Sequence, residues 1–305
     1  SSHALTLDRV AGGHFAVGFF TNLTEDHLDF HKDMENYCDA KGKLFRMCDV
    51  GCVNADDAWM PRLIKNATCR LMCYSTKSAA DLTAEHIALH SDGVEFDAAS
   101  GGERAHVRLG IPGAFTVYNA LGVIQAAQAL GLPLEKIAAA LSTAQGVKGR
   151  AEVVPTPGKD YTVLIDYSHT PDSLENILKT VRGFCRGHVI AVFGCGGDRD
   201  PFKRPIMGGI AARLADVAVV TSDNPRTEDP NEIIRQIVAG MDGAKTPPTV
   251  IENRPKAIEW AMDHAEPGDV IVLCGKGHET YQEIGHEKRH LDEREVVASY
   301  LERTL

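Results

Sequence analysis

The 305 residues carry 44% hydrophobic side chains and 32 Lys and Arg against 42 Asp and Glu, a net charge of −10. The length and apolar content fit a globular chain of two domains, and the acidic balance, with no long Lys/Arg run, argues against nucleic acid and acidic membranes as partners. No apolar run reaches the roughly 18 residues of a membrane span and no signal peptide opens the chain, so a cytosolic protein is expected.

The chain starts Ser1-Ser2-His3, which reads as the beginning of an excised or truncated piece. Residues 14–22, HFAVGFFTN, predict a buried strand ending in polar residues, and the segment after it turns helical in its second half. GCVNADD and RLMCYS predict strands, and residues 85–109 predict β-rich connections around SDG and ASGG. GAFTVYNALGVIQAAQALG is a helix by its three- and four-residue apolar spacing, stopped by Gly131 with Pro133 beyond, and PLEKIAAALS is a second, shorter one. Eight cysteines in so long a chain do not form a disulfide framework. The pairs Cys48/Cys52 and Cys69/Cys73 are spaced more loosely than zinc pairs usually are, and Cys69, Leu71 and Cys73 would share one face of a strand.

From about residue 148 the pattern is regular. Strands YTVLID, HVIAVFG, DVAVVTS and DVIVLCG alternate with helices near 171–185, 204–214, 230–241 and 254–265, with a weaker strand PTVIEN between the last two helices. This is the alternation of a mostly parallel α/β sheet. It places a domain boundary near Gly146 to Gly149, giving domains 1–147 and 148–305.

Each strong strand ends in chemistry: Asp166-Tyr167-Ser168-His169, then Gly194 to Arg199, then Asp223-Asn224-Pro225-Arg226, then Gly275-Lys276-Gly277-His278-Glu279. Parallel strands end on one edge, so the four loops should converge there on a small molecule. Glycines let backbone N–H groups approach an anion, Arg199 and Arg226 can each grip a carboxylate, and Glu279 can hold an ammonium. A zwitterion with an extra carboxylate suits that set. In the first domain, His27 follows the first strand and Lys41 lies in a polar helix, where a lysine is by default a surface residue.

The segments SSHALTLDR, FTNLTEDHLDFH, DAKGKLF, GVKGRAE, DYSHTPDSLE, FGCGGDRD, KRPIMG, SDNPRTEDP and GKGHETYQ resemble, in order and spacing, those of the Mur ligases of peptidoglycan synthesis. The closest resemblance is to members that add meso-diaminopimelate. The resemblance implies a remnant of the family's central ATPase domain followed by a complete Rossmann-like, amino-acid-binding C-terminal domain. It also implies a monomeric bacterial cytoplasmic ligase acting on UDP-MurNAc-L-Ala-D-Glu, meso-diaminopimelate and ATP through an acyl phosphate. Lys41 matches a lysine that relatives carry as a carbamate, an anionic oxygen donor suited to Mg²⁺, and His27 matches a residue at a second magnesium. Ser1 and Arg9, with Lys41, match positions for the muramoyl dipeptide, and Asn119, Arg150, Asp166 and His169 match nucleotide-contacting ones.

Arg199, Asp223, Asn224, Arg226, Gly275 and Glu279 match the positions that hold diaminopimelate. Arg226 would pair with the distal carboxylate that lysine lacks; left unpaired, a buried guanidinium would penalise lysine by on the order of several kcal/mol. Lysine-adding relatives lack this arginine. The family's phosphate loop, of the form G-T-N-G-K-T, does not occur in the 305 residues, nor does its uridine-binding first domain. The chain alone is therefore expected not to turn over ATP. Two other readings are a relative using a different acceptor, such as lysine, a folylpolyglutamate or cyanophycin, and a degenerate, non-catalytic module. The loop around Arg226 argues against the first, and retention of His27, Lys41, Arg199, Arg226 and Glu279 against the second.

Overall fold

A computed structural model describes residues 1–24, 27–244 and 246–304. The chain forms two compact units, one of Ser1–Ala88, Val94–Leu109 and Ala114–Ala144, the other of Leu89–Gly93, Gly110–Gly113 and Gln145–Leu305.

The N-terminal elements are α1 (Ser2–Thr6), β1 (Phe15–Phe20), α2 (Leu28–His31), α3 (Met34–Gly42), β2 (Cys48–Asn54), α4 (Met60–Leu63), β3 (Arg70–Ser75), β4 (Leu82–His90), β5 (Gly93–Ser100), β6 (Glu103–Leu109), α5 (Ala114–Ala129) and α6 (Leu134–Leu141). Strands β1 to β6 lie in that order in one sheet, parallel from β1 to β4, with β5 and β6 an antiparallel hairpin. The hairpin turns on Gly101 and Gly102, both at positive φ, which a residue without Cβ adopts freely.

The buried strand expected over 14–22 is instead the edge of this sheet, with Phe15 and Phe19 more than a third exposed. An apolar run encodes the capacity to be covered, whereas a strand's neighbours decide whether it is. Cys48 and Cys52 pack inside, and burial pushes their thiols up to about 12 and about 11. Cys69, Leu71 and Cys73 do share one face, packed against the same cluster as Phe45 and Val53.

The second unit continues with β7 (Glu152–Val154), β8 (Thr162–Asp166), α7 (Pro171–Arg182), β9 (Val189–Phe193), α8 (Lys203–Leu214), β10 (Val217–Val220), α9 (Pro230–Val238), β11 (Thr249–Val250), α10 (Arg254–Asp263), β12 (Val270–Cys274), β13 (Tyr281–Ile284), β14 (Glu287–His290) and α11 (Glu293–Thr304). The sheet order is β11-β10-β9-β12-β8-β7, parallel except for β7. Alternate residues of β9 and β12 serve two cores, which is why these strands read as unbroken apolar runs. Val189, Ala191 and Phe193 pack with α7, α8 and α9, while Ile190 and Val192 pack with α10 and α11. The chain moves outward from β8 through β9 and β10 to β11, then returns to insert β12 between β8 and β9. Such a reversal opens a crevice at the carboxyl ends of the strands.

Candidate functional site

Four loops meet at that edge around a cavity of about 300 Å³. Tyr167 and His169 come from the loop after β8, Gly196 and Arg199 from that after β9, Asp223, Asn224 and Arg226 from that after β10, and Gly275 and Glu279 from that after β12. All six residues expected around an acceptor amino acid thus line one cavity. A larger groove of about 670 Å³ between β6 and α6 carries none of the expected site residues.

The loops are locked to one another by side chains. Arg204, 1% exposed, donates through both terminal nitrogens to the Glu228 carboxylate, at 2.9 Å each, and to the Gly196 carbonyl. Glu228 in turn accepts from the Asp198 N–H, and its carboxyl is held below its ordinary range by the Arg204 hydrogen bonds. Asp198 also sits low, because Thr227 donates to it. Gly275 has φ +116, a conformation glycine adopts freely, and a Cβ there would lie 2.4 Å from Asp223 Oδ2, so a larger residue would have to displace that carboxylate.

At the centre, Asn224 Nδ2 donates to Glu279 Oε2 at 2.9 Å, while Asn224 Oδ1 accepts from Lys276 Nζ at 3.1 Å and from the Glu283 N–H at 2.9 Å. Lys276 Nζ also lies 3.3 Å from Glu279 Oε2. Its side chain is 0% exposed, so the Glu279 charge is balanced from beneath the cavity. Arg226 is the least ordinary residue of the set. Its backbone is left-handed, at φ 50, and is fixed by Arg226 N–H donating to Glu283 O and Gly285 N–H donating to Arg226 O. Its guanidinium donates from Nε to Glu283 Oε2 at 2.9 Å and from Nη1 to Gly197 O at 2.7 Å. The expectation of a guanidinium left bare without a distal carboxylate is therefore corrected: β13 supplies a partner carboxylate. Arg199 is exposed on the rim, with Nη1 on the Asp198 carbonyl.

Tyr167 forms a shelf beside the cavity. Its ring packs against those of His169 and His278, at 4.6 and 5.1 Å between centroids, with the Arg150 guanidinium 5.4 Å away. Asp166 is buried and accepts from Ala151 N–H at 2.8 Å and from the Ser168 hydroxyl, so its carboxylate is engaged in holding the loops that carry Arg150 and His169. Asn119 is an exposed residue of α5 in the first unit.

Within the first unit, Ser1 and Lys41 line a second cavity, of about 210 Å³, together with Phe19, Asn22 and Phe45. Asp33 caps α3 by accepting from Asn36 N–H at 2.7 Å, and Lys41 falls in that helix's last turn. Lys41 Nζ lies 4.9 Å from the Tyr37 ring centre, and the His27 ring lies 6.1 Å from the same ring. His27 and Lys41 therefore flank one aromatic side chain. Arg9, beyond the end of α1, is exposed and does not line this cavity. Among the described residues no three His, Cys, Asp or Glu are grouped to hold a metal ion.

Sequence reasoning missed Lys276 as a buried counter-charge, Glu283 as the partner of Arg226, and the Arg204–Glu228 lock. Lys276 stood inside a quoted motif, but nothing local marks it as buried. Glu283 lies in a hairpin, β13 with β14, whose polar second strand gives no apolar alternation.

Comparison with known proteins gives two family matches: "Mur ligase middle domain" over residues 1–127 and "Mur ligase, glutamate ligase domain" over 149–277. The chain is 49% identical over 302 residues to a UDP-N-acetylmuramoyl-L-alanyl-D-glutamate–2,6-diaminopimelate ligase of Clostridium acetobutylicum, covering 99% of this chain and 62% of that protein. It is 48% identical over 300 residues to the protein of the same name in Synechococcus elongatus, covering 97% and 60%. A solved structure of a ligase bearing that name superposes with TM-score 0.78 at 34% identity, over 100% of this chain and 63% of that one. The chain thus spans about three fifths of the length of the relatives it matches.

Proposed function

Because the chain belongs to the Mur ligase family, with that family's middle and C-terminal domains, we propose that it is part of an ATP-dependent amide ligase joining meso-diaminopimelate to UDP-MurNAc-L-Ala-D-Glu. The observation that carries this reading is the convergence of Arg199, Asp223, Asn224, Arg226, Gly275 and Glu279 on one cavity of about 300 Å³. Two guanidiniums answer two carboxylates, and Glu279 with Asp223 answers an ammonium. The names of the relatives support the same acceptor.

In the proposed reaction the γ-phosphoryl group of ATP passes to the D-glutamate carboxylate. The acceptor's free amine then attacks that acyl phosphate, forming the amide and releasing phosphate. The second unit's part is to fix the acceptor so that its amine meets the activated carbon in one orientation. Arg150 and His169 are assigned to the nucleotide, and Asp166 to positioning these two through Ala151 and Ser168; the resemblance also gives Asn119 of the first unit a nucleotide role. In the first unit, Ser1 and Lys41 are assigned to the muramoyl dipeptide. By the family resemblance, magnesium would be held by a carbamate on Lys41 and, at a second ion, by His27, and would supply charge neutralisation for phosphate oxygens.

Calorimetric titration of the chain with meso-diaminopimelate, with L-lysine as competitor and Arg226→Met as control, tests the reading. Selective binding of the dicarboxylic acceptor, with the selectivity lost in the variant, is expected. Equal affinity for the two amino acids in the unaltered chain would overturn it.

A further inference from the structure

Arg226 has five N–H donors, and their disposition is uneven. Nε is committed to Glu283 Oε2 and one Nη1 donor to Gly197 O, while Nη2 has no acceptor among the described residues. A guanidinium can receive a carboxylate on two donors along either of two edges. With Nε occupied, the edge left for a ligand is the one formed by Nη1 and Nη2. The same residue that takes Nε also fixes the Arg226 backbone, through Arg226 N–H on Glu283 O. Glu283 is 27% exposed and is not among the residues lining the cavity, whereas Arg226, 19% exposed, is.

We propose that Glu283 sets the acceptor specificity of this site, by choosing which edge of Arg226 a ligand carboxylate meets and by compensating its charge when no such carboxylate is present. The inference rests on the reading of the cavity as an acceptor site for a diamino dicarboxylic acid. Its consequence is a moderated selector. An acceptor lacking the distal carboxylate leaves Arg226 paired with Glu283, so it is rejected less strongly than it would be by a guanidinium with no counter-charge. A neutral residue that still accepts from Nε should keep the edge and remove the compensation.

Glu283→Gln makes that change, since the amide oxygen can take the same N–H. Titrations of the 305-residue chain with meso-diaminopimelate and with L-lysine would be compared for the unaltered protein, Glu283→Gln, Glu283→Ala and Arg226→Met. The expected result is a rise of about tenfold in the diaminopimelate-to-lysine affinity ratio for Glu283→Gln, the effect of one removed charge at a partly screened site. Glu283→Ala should show a smaller rise, because the fork loses its anchor as well. An unchanged or lowered ratio in Glu283→Gln overturns the proposal. Arg226→Met separates the two layers: if it collapses the ratio while Glu283→Gln leaves it unchanged, only the role of Glu283 fails. If the unaltered chain binds neither amino acid, or Arg226→Met keeps the full ratio, the acceptor reading fails and the role of Glu283 with it.

Discussion

Replacing Lys276 with methionine keeps an unbranched side chain one atom shorter and removes a charge that the structure places under the cavity with 0% exposure. Two partners lose it unequally. Asn224 Oδ1 keeps the Glu283 N–H at 2.9 Å and stays satisfied. Glu279 keeps the Asn224 Nδ2 donor at 2.9 Å but loses its only cation within 4 Å among the described residues, with 15% exposure to compensate. Breaking a buried pair costs about 3–5 kcal/mol. The 3.3 Å separation, the partial exposure of Glu279 and the removal of the lysine's own desolvation place this case at or just below the low end of that range, at about 2–3 kcal/mol. At roughly 2–4 °C per kcal/mol for a domain of this size, the second unit should melt about 4–12 °C earlier. In a Trp59→Phe background the fluorescence reports Trp260 alone, which lies in α10 of that unit. Adding Glu279→Gln should recover part of the loss, so the double variant costs at least about 1 kcal/mol less than the sum of the singles. A Lys276→Met protein that melts within about a degree of the original and binds the acceptor as well would refute the counter-charge argument.

A Cβ on Gly197 would lie 1.9 Å from the Pro225 carbonyl oxygen, a backbone atom that cannot step aside, so Gly197→Ala should weaken acceptor binding at least about tenfold. A Cβ on Gly196 would come no nearer than 3.0 Å, to Arg226 Nη1, a side-chain atom that can give by a few tenths of an ångström, so Gly196→Ala should cost less; equal losses in parallel titrations would contradict the close-approach argument. Glu228 titrates below its usual 4.5 because Arg204 hydrogen-bonds its carboxylate. The folded value being the lower one, its stabilisation is complete above about pH 4.5 and is lost as the pH falls through the folded value. Thermal melts from pH 6 down to about pH 3 should therefore show an acid-side decline that is shallower in Glu228→Gln, and parallel curves would remove Glu228 from the account.

Much of the second unit was legible in the chain. Four apolar runs separated by helices point to a largely parallel sheet, because strands with no polar face must be covered on both sides. A parallel sheet in turn brings the loops after β8, β9, β10 and β12 to one edge, so Arg199, Asp223, Asn224, Arg226, Gly275 and Glu279 could be grouped without coordinates. The resemblance of the loop motifs to one family, rather than periodicity, singled out Lys41 and His27. Only the tertiary structure decided who partners whom. Glu283 reaches Arg226 across 57 positions, Arg204 reaches Glu228 across 24, and Lys276 reaches Asn224 across 52. It also decided that β1 lies at an edge and that residues 281–290 form a hairpin. Local sequence determines what a segment can bury and how it turns, since those depend on spacing along the chain. Which charge is compensated, and which strand is covered, depends on neighbours that arrive from elsewhere when the sheet closes.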